Sequence, residues 1–164
     1  MKYKKMLDEY IAGVDRLNRK VKNLSDAMMN YQPEWKESWT IKEHIIHLVD
    51  SETNGFIRCK SIIAQPNSEC YVMDEDNWTK NLSRKNEDVN KYIQLFGIIR
   101  NIVYDLLIDE PEENWNKNFF IRDYRGERKN ITLKKCIELY NDHLDFHIDY
   151  IDRIIEEMDT EKKR

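Results

Sequence analysis

The sequence predicts an all-α protein, a four-helix bundle with long connections and a small β-hairpin between the third and fourth helices. Its 164 residues include only four Gly and three Pro, and apolar residues recur every three or four positions along four long segments. No internal repeat or Pro/Ser-rich linker divides the chain. A chain of this length can bury roughly two-thirds of its unfolded surface. We therefore expect one domain spanning residues 1–164.

The first two helices are predicted from an apolar stripe and a capping motif. The first runs from about Tyr3 to Met28, with a stripe formed by Leu7, Tyr10, Ile11, Val14, Leu17, Val21 and Leu24. The second begins with a capping box, because Thr40 can accept from the backbone of Glu43 while Glu43 reaches back to the Thr40 amide. It continues to about Ala64, just before Pro66.

The third helix is predicted over about Glu87 to Asp109, and Pro111 ends its pattern. Its stripe consists of Val89, Ile93, Phe96, Ile99 or Arg100, Val103 and Leu106. A long loop containing Tyr71 and Trp78 separates it from the second helix. Connections of this length are compatible with a bundle whose loops cover one end.

The helical period disappears between Trp115 and Ile131, where the sequence predicts a hairpin. The strand-like run Asn118-Phe-Phe-Ile-Arg precedes Tyr124-Arg-Gly-Glu, so the turn is expected near Gly126. The fourth helix then begins after Thr132 as its N-cap and runs to about Met158. Its apolar positions are Leu133, Ile137, Tyr140, Leu144, Ile151 and Ile154.

Charge and composition argue against several classes of function. The formal net charge is -4, and basic residues gather only at the two ends of the chain, so no nucleic-acid partner is expected. No apolar run approaches the ~20 residues that span a bilayer, so no membrane association is expected and the protein is predicted to be cytoplasmic. Cys59, Cys70 and Cys136 are widely spaced and odd in number, which predicts free thiols.

Histidines are the main indication of chemistry. His143 and His147 are four residues apart, so a helix stacks them on one face with Cβ atoms about 6 Å apart. Neutral imidazole is a common ligand of zinc and similar ions. A third ligand must come from another helix, and His44 and His47 are the two candidates. A chance histidine pair on an amphipathic helix is the alternative. The residue after His143 is not the glutamate of the HExxH motif, so a zinc peptidase is excluded.

Three motifs, in order along the chain, resemble those of a known family. They are Trp39-Thr-Ile-Lys-Glu-His-Ile-Ile-His47-Leu-Val-Asp50-Ser-Glu52, the loop Tyr71-Val-Met-Asp74-Glu-Asp76-Asn-Trp78, and His143-x-x-x-His147. The first is similar to the second-helix signature of the DinB-like (DinB/YfiT) superfamily of candidate metal-dependent enzymes with a four-helix-bundle fold. The loop resembles that family's Tyr-x-Glu-Asp-x-Trp stretch, with one extra residue here between the tyrosine and the acidic pair.

The resemblance implies a site and a class of activity. It selects His47 over His44, so that His47, His143 and His147 would bind a divalent metal ion, with zinc expected and nickel as the alternative. His44 would then be a rim or packing residue. The family includes thiol S-transferases, so the resemblance implies a transferase or a hydrolase acting on a small molecule, with a low-molecular-weight thiol as a candidate partner. It also implies a homodimer.

Other residues and other functions remain open at this stage. Asp50 lies one turn beyond His47 and is a candidate for orienting a metal ligand without binding the metal itself. The alternative is that Asp50 is an ordinary solvated carboxylate on the helix. Trp39, Tyr71 and Trp78 could line a pocket mouth or simply pack. No catalytic residue is assigned. The alternative functions are a non-catalytic dimeric helical module that binds a metal or ligand in stress response, and a metal-free structural bundle.

Overall fold

Four long helices and one hairpin make up the computed structural model, which describes residues 2–36, 38–70, 72–82, 86–122 and 126–161. The long helices are α1 (Lys4–Val21), α3 (Ile41–Ala64), α5 (Val89–Leu107) and α6 (Leu133–Glu161). The shorter elements are α2 (Asp26–Met29), α4 (Glu75–Asn81), a 3₁₀ turn (Glu112–Asn116), β1 (Asn118–Arg122) and β2 (Arg128–Thr132). The predicted all-α bundle with a hairpin before its last helix is confirmed.

The first predicted helix is in fact two helices. Helix α1 ends at Val21, and α2 begins after Ser25, whose hydroxyl oxygen accepts from the Met28 amide at 3.3 Å. Serine competes for backbone hydrogen bonds and favours an N-cap over a helix interior, so the chain stops and restarts there. The apolar pattern continues past this break because α2 also packs against the bundle, where it contacts α3 and buries Met29.

Side-chain caps set the starts of the later helices. In α3, Thr40 accepts from the Glu43 amide at 3.2 Å and donates its own amide to the Glu43 carboxylate at 2.8 Å, which confirms the predicted capping box. Asp88 caps α5, which begins at Val89, two residues after the predicted start at Glu87. Asp74 caps α4, a helix that the sequence analysis treated as loop.

The packing order of the long helices accounts for the connections from α1 to α3 and from α5 to α6, whereas the loop from α3 to α5 joins neighbouring helices. Helix α1 packs mainly against α5 and α6, and α3 packs mainly against the same two helices. Consecutive long helices α1 and α3 therefore lie at diagonal corners of the bundle, and so do α5 and α6. Crossing a diagonal takes more chain than turning to a neighbour. The arrangement makes α3 and α6 direct neighbours.

A charged network lies at the centre of the bundle. The Arg100 side chain is fully buried and donates to Glu52 from Nε at 2.9 Å and from Nη2 at 2.5 Å. It also donates to the backbone oxygens of Tyr10 at 2.7 Å and Tyr140 at 3.0 Å, while the Tyr10 hydroxyl donates to Glu52 at 2.6 Å. The network ties α1, α3, α5 and α6 together, since each contributes one of these residues.

The hairpin extends into the chain that precedes α4. Strands β1 and β2 pair antiparallel from Asn118 opposite Thr132 to Arg122 opposite Arg128, and Gly126 has a φ of +80° in the turn region. Phe120 donates its amide to Ser68 and accepts from the Cys70 amide, both at 2.8 Å. These bonds hold the segment leading to α4 against the hairpin.

Two further expectations concern membranes and thiols. Within the described ranges, none of the helices has both the length and the apolar character that crossing a bilayer requires. Cys59, Cys70 and Cys136 are free thiols, as the sequence indicated.

Candidate metal centre

The contact between α3 and α6 brings together the three histidines that were predicted as metal ligands. His47 lies in the second turn of α3, at a position set by the capping box at Thr40, and it faces α6. His143 and His147 project from successive turns of α6 toward it. His47 and His147 are buried, and His143 is half-buried. The ring centroids of the three residues lie between 4.5 and 5.0 Å apart.

The ring nitrogens converge on one point. Nε2 of His143 lies 3.1 Å from Nε2 of His47 and 3.0 Å from Nε2 of His147. One nitrogen from each of the three rings lies within 4.8 Å of the other two. Two nitrogens bound to a tetrahedral zinc at 2.0 to 2.1 Å are about 3.3 Å apart. The two separations from His143 Nε2 are close to that value.

Hydrogen bonding alone does not account for this geometry. An imidazole nitrogen carries either one proton or one lone pair, directed along a single line in the ring plane. Nε2 of His143 therefore cannot make a well-aligned hydrogen bond to both His47 and His147. A cation placed between the three lone pairs satisfies all three nitrogens at once, so the donor set fits a shared metal ion.

Burial keeps the His143 and His147 rings neutral, which is the protonation state a metal requires. Burial, helped by the charge of Arg100, lowers the pKa of His143 to about 4. Burial lowers the pKa of His147 to about 2, with further contributions from the nearby His143, His47 and His44 rings. At neutral pH, both residues of the α6 pair therefore present lone pairs without competition from protons.

His44 is a buried neighbour of the triad and not a rim residue. Its Nδ1 lies 2.8 Å from Nδ1 of His147, on the opposite side of that ring from the converging nitrogens. Burial lowers the pKa of His44 to about 4. The Trp39 ring stacks on His147 with an interplanar angle of 10° and also contacts His44 and His47. Trp39 thus covers the cluster from one side.

The triad opens into a cavity of about 330 Å³. The cavity is lined by the four histidines, by the aromatic residues Trp35, Trp39, Phe146 and Tyr150, and by Glu75. A Glu75 carboxylate oxygen lies 3.7 Å from Nε2 of His47, and 59% of its side chain is exposed. Partial burial raises the pKa of Glu75, and the carboxylates of Asp76 and Asp74 raise it further. A proton-accepting group therefore stands at the open side of the nitrogen cluster.

The other sequence candidates lie in different places. Asp50 is half-buried on α3 and does not line the histidine cavity, so its orienting role stays a prediction. Glu52 belongs to the central network with Arg100. Trp39 lines the cavity, Trp78 is half-buried on α4 outside its lining, and Tyr71 lies outside the described residues.

Sequence reasoning missed Glu75, and it left His44 as a rim or packing residue. Glu75 belongs to the acidic run from Asp74 to Asp76. Asp74 caps α4, although this segment was predicted to be a loop. That cap was a usable signal, because it predicts a short helix with Glu75 in its first turn. For His44, the spacing of three residues to His47 indicated a shared helix face, but not a contact with His147.

Comparisons with known proteins identify the family of this chain. The family profile of the DinB superfamily matches residues 10–151. A curated relative from Bacillus subtilis, YfiT, is 24% identical over 158 residues, which cover 94% of this chain and 87% of the relative. A relative from Oceanobacillus iheyensis is 26% identical over 157 residues, covering 94% and 88%. Both are named as candidate metal-dependent hydrolases.

Solved structures show the same fold. The structure of Bacillus subtilis YfiT, described as having an unusual four-helix bundle topology, matches with a TM-score of 0.85 at 23% identity, covering 94% of this chain and 86% of that one. A mycothiol-dependent maleylpyruvate isomerase matches with a TM-score of 0.68 at 12% identity, and this chain spans 61% of its length. At these identities, the likeness concerns the fold alone.

Proposed function

Because this chain belongs to the DinB superfamily, we propose that it is a metal-dependent enzyme, a hydrolase acting on a small molecule. His47, His143 and His147 hold one divalent ion. The single observation that carries the proposal is the convergence of their ring nitrogens, with His143 Nε2 at 3.1 and 3.0 Å from its two partners. The curated relatives, which are named as candidate metal-dependent hydrolases, support it.

Zinc is the proposed ion and nickel the alternative. Three imidazoles suit either one, and the choice depends on coordination geometry and metal supply. Three protein ligands leave at least one position open, as catalytic zinc sites do. An ion held there supplies Lewis-acid chemistry, which polarises a substrate oxygen and lowers the pKa of a water or thiol that reaches it.

Glu75 is the proposed proton acceptor. Its carboxylate faces the cavity 3.7 Å from His47 Nε2, close enough to take a proton from a nucleophile at the open side of the cluster. The raised pKa of Glu75 lies closer to neutral pH than that of an ordinary carboxyl, and a general base works best when its pKa is near the working pH. Trp39 and Phe146 add aromatic walls to the cavity and limit the water around the reacting groups.

Thiol transfer is the second candidate reaction. It is supported by the fold shared with a mycothiol-dependent isomerase and by the same open position, which a small thiol could reach. Glu75 would then accept the thiol proton. The two candidates differ in the second substrate, because a hydrolase consumes water whereas a transferase needs an added low-molecular-weight thiol.

The proposal is tested by metal content and turnover together. Protein purified without chelator is analysed for bound metal, loaded with zinc or nickel, and assayed for hydrolysis of 4-nitrophenyl acetate and for reaction of electrophiles with cysteine or another small thiol. The variants His47→Ala, His143→Ala and His147→Ala are compared with Asp149→Ala, which changes an exposed residue of α6. We expect one ion per chain and turnover in the wild type and in Asp149→Ala, and loss of both in the histidine variants.

The outcomes separate the functional classes. Bound metal with no turnover in either assay would favour the non-catalytic binding module. Equal metal content in the wild type and the histidine variants would overturn the proposal, and the absence of bound metal from all of them would favour a metal-free structural bundle. Turnover only with an added thiol would select the transferase.

A homodimer is also proposed. Ile98 and Ile102 lie on the outer face of α5 with 55% and 46% of their surface exposed, and an interface would remove that apolar surface from water. Light scattering tests this, since a particle of 20.0 kDa at micromolar concentration would exclude the dimer.

A further inference from the structure

A second cavity adjoins the histidine cavity and is more apolar. It has a volume of about 420 Å³ and lies between the hairpin and α6. Phe119, Ile121 and Ile131 line it from the hairpin, and Leu139 and Phe146 line it from α6. Leu139 and Phe146 leave 42% and 54% of their surface exposed, which is high for large apolar side chains. A surface of this kind favours an apolar ligand of small-molecule size.

Two hydrogen-bond donors lie in the wall of this apolar cavity. Arg58 on α3 donates from Nη1 to the Tyr140 hydroxyl on α6 at 3.0 Å, and both residues line the cavity. Burial raises the pKa of Tyr140, so its hydroxyl stays protonated and can itself donate. A guanidinium beside a phenol hydroxyl matches the two oxygens of a carboxylate.

Packing holds this donor pair in place. A Cβ atom at Gly55 would lie only 2.6 to 2.9 Å from three atoms of the Tyr140 ring, so the ring rests directly on the α3 backbone. The Tyr140 backbone oxygen accepts from Arg100 at 3.0 Å. The hydroxyl therefore has a fixed position, which lowers the entropic cost of binding a ligand there.

The cavity also shares a wall with the candidate metal centre. His143 and Phe146 line both cavities. A molecule seated against Leu139 and Ile131 therefore lies beside one of the three proposed ligands. Asp142 adds an exposed carboxylate to the lining, which disfavours negative charge on a bound molecule except where the Arg58 guanidinium offsets it.

We propose that this second cavity binds the substrate, a small apolar or aromatic monocarboxylate whose carboxylate is held by Arg58 and Tyr140 and whose body packs on the hairpin and α6. The claim that the bound molecule is a substrate rests on the proposed function. The claim that the cavity binds such a molecule does not depend on that function. A molecule seated there lies beside His143 and Phe146, the two residues that this cavity shares with the histidine cavity.

The test uses 4-phenylbutyrate as the probe and 4-phenylbutan-1-ol as its uncharged counterpart. Binding to the full chain is measured by saturation-transfer NMR and calorimetry, on zinc-loaded protein and on protein treated with chelator. Tyr140→Phe and Arg58→Met remove the donors, Leu139→Ser removes apolar wall, and Leu95→Ser is the control. Leu95 has the same 42% exposure as Leu139 but lies on α5, outside both cavities. Circular dichroism confirms that each variant is folded.

We expect the carboxylate to bind the wild type at least ten-fold more tightly than the alcohol, with or without zinc. Tyr140→Phe and Arg58→Met should each weaken the carboxylate about ten-fold and leave the alcohol unchanged. Leu139→Ser should weaken both probes, and Leu95→Ser neither.

Equal affinity for the two probes, or variants without effect, would overturn the proposal. Carboxylate binding that disappears with chelator would also overturn it, because the probe would then be a ligand of the metal. Metal content is measured on the same samples. Probe binding in protein that takes up no metal would refute the proposed function and leave this inference standing. Bound metal without probe binding would refute this inference and leave the proposed function standing.

Discussion

Nδ1 of His44 lies 2.8 Å from Nδ1 of His147, on the far side of the His147 ring from the converging nitrogens. A metal on Nε2 of His147 requires the proton of that ring to be on Nδ1. Nδ1 of His147 then donates and Nδ1 of His44 accepts, which leaves the His44 proton on Nε2. That nitrogen is buried without a hydrogen-bond partner among the described residues. With a metal ion on His147, His44 would therefore orient that ring, and the unpaired Nε2 of His44 would carry a cost in stability.

Replacing His44 should weaken metal binding without removing a ligand. In His44→Leu, the Nδ1 proton of His147 loses its acceptor, and we expect zinc affinity to fall by about ten- to a hundred-fold. In His44→Gln, a carbonyl oxygen can replace the acceptor, so a smaller loss is expected. Competition titration against a chromophoric chelator measures both. Identical affinities in the wild type and His44→Leu would show that His44 only packs.

Removing the Glu75 carboxylate should slow turnover and leave the metal bound. Glu75→Gln keeps the size of the side chain but cannot accept a proton, so we expect at least a ten-fold lower rate of 4-nitrophenyl acetate hydrolysis. The acidic limb of the pH–rate profile should disappear with it. Glu113→Gln, at an exposed site on the 3₁₀ turn, is the matched control. An unchanged profile in Glu75→Gln would assign the proton transfer elsewhere.

Breaking the central ion pair should destabilise the bundle strongly. Glu52→Gln leaves the Arg100 charge buried and unpaired, and we expect a loss of about 3–5 kcal/mol in the free energy of unfolding. Tyr10→Phe removes one hydrogen bond to Glu52 and should cost only about 1–3 kcal/mol. Urea unfolding followed by circular dichroism measures both, and the ranking of the two variants is the critical result.

Two glycines should respond to alanine in opposite directions. At Gly55, a new methyl group would overlap the Tyr140 ring, so Gly55→Ala should cost about 1–3 kcal/mol. At Gly97 on α5, the nearest atom to a new Cβ is Val14 Cγ1 at 3.3 Å. That contact needs only a small adjustment, and alanine favours the helix by roughly 0.5–1 kcal/mol. Thermal unfolding of the two variants gives the comparison.

Metal-free protein should lose stability as pH falls from about 6.5 toward 2. In the folded chain the pKa values of His44 and His143 are about 4 and that of His147 is about 2, against 6.5 for an ordinary imidazole. In that window the unfolded chain binds more protons, so unfolding becomes easier as the solution is acidified. His44 and His143 add no further dependence below about pH 4, whereas His147 adds to it down to about pH 2. Urea unfolding in the presence of chelator measures the slope. His44→Leu should reduce it.

Local signals along the chain predicted most of the helices and their ends. The capping box at Thr40 and Glu43 uses groups three residues apart, so the start of α3 could be read directly. The hairpin around Gly126 is local in the same way. The break at Ser25 was missed because the apolar period runs through it, and the period reports burial rather than helix continuity.

The spacing of His143 and His147 on one helix was readable from the sequence, because residues four apart share a face whatever the helix packs against. Helical spacing left His44 and His47 as alternatives for the third residue, and only the family resemblance selected His47. Which of the two meets the pair depends on the diagonal arrangement that makes α3 and α6 neighbours, and on the rotation of α3 that turns His47 toward His143 and His44 toward the back of His147. Glu75 depends on tertiary contacts in the same way, since it reaches the site from a separate short helix. Side chains distant in sequence meet only through helix packing, and no local pattern encodes that geometry.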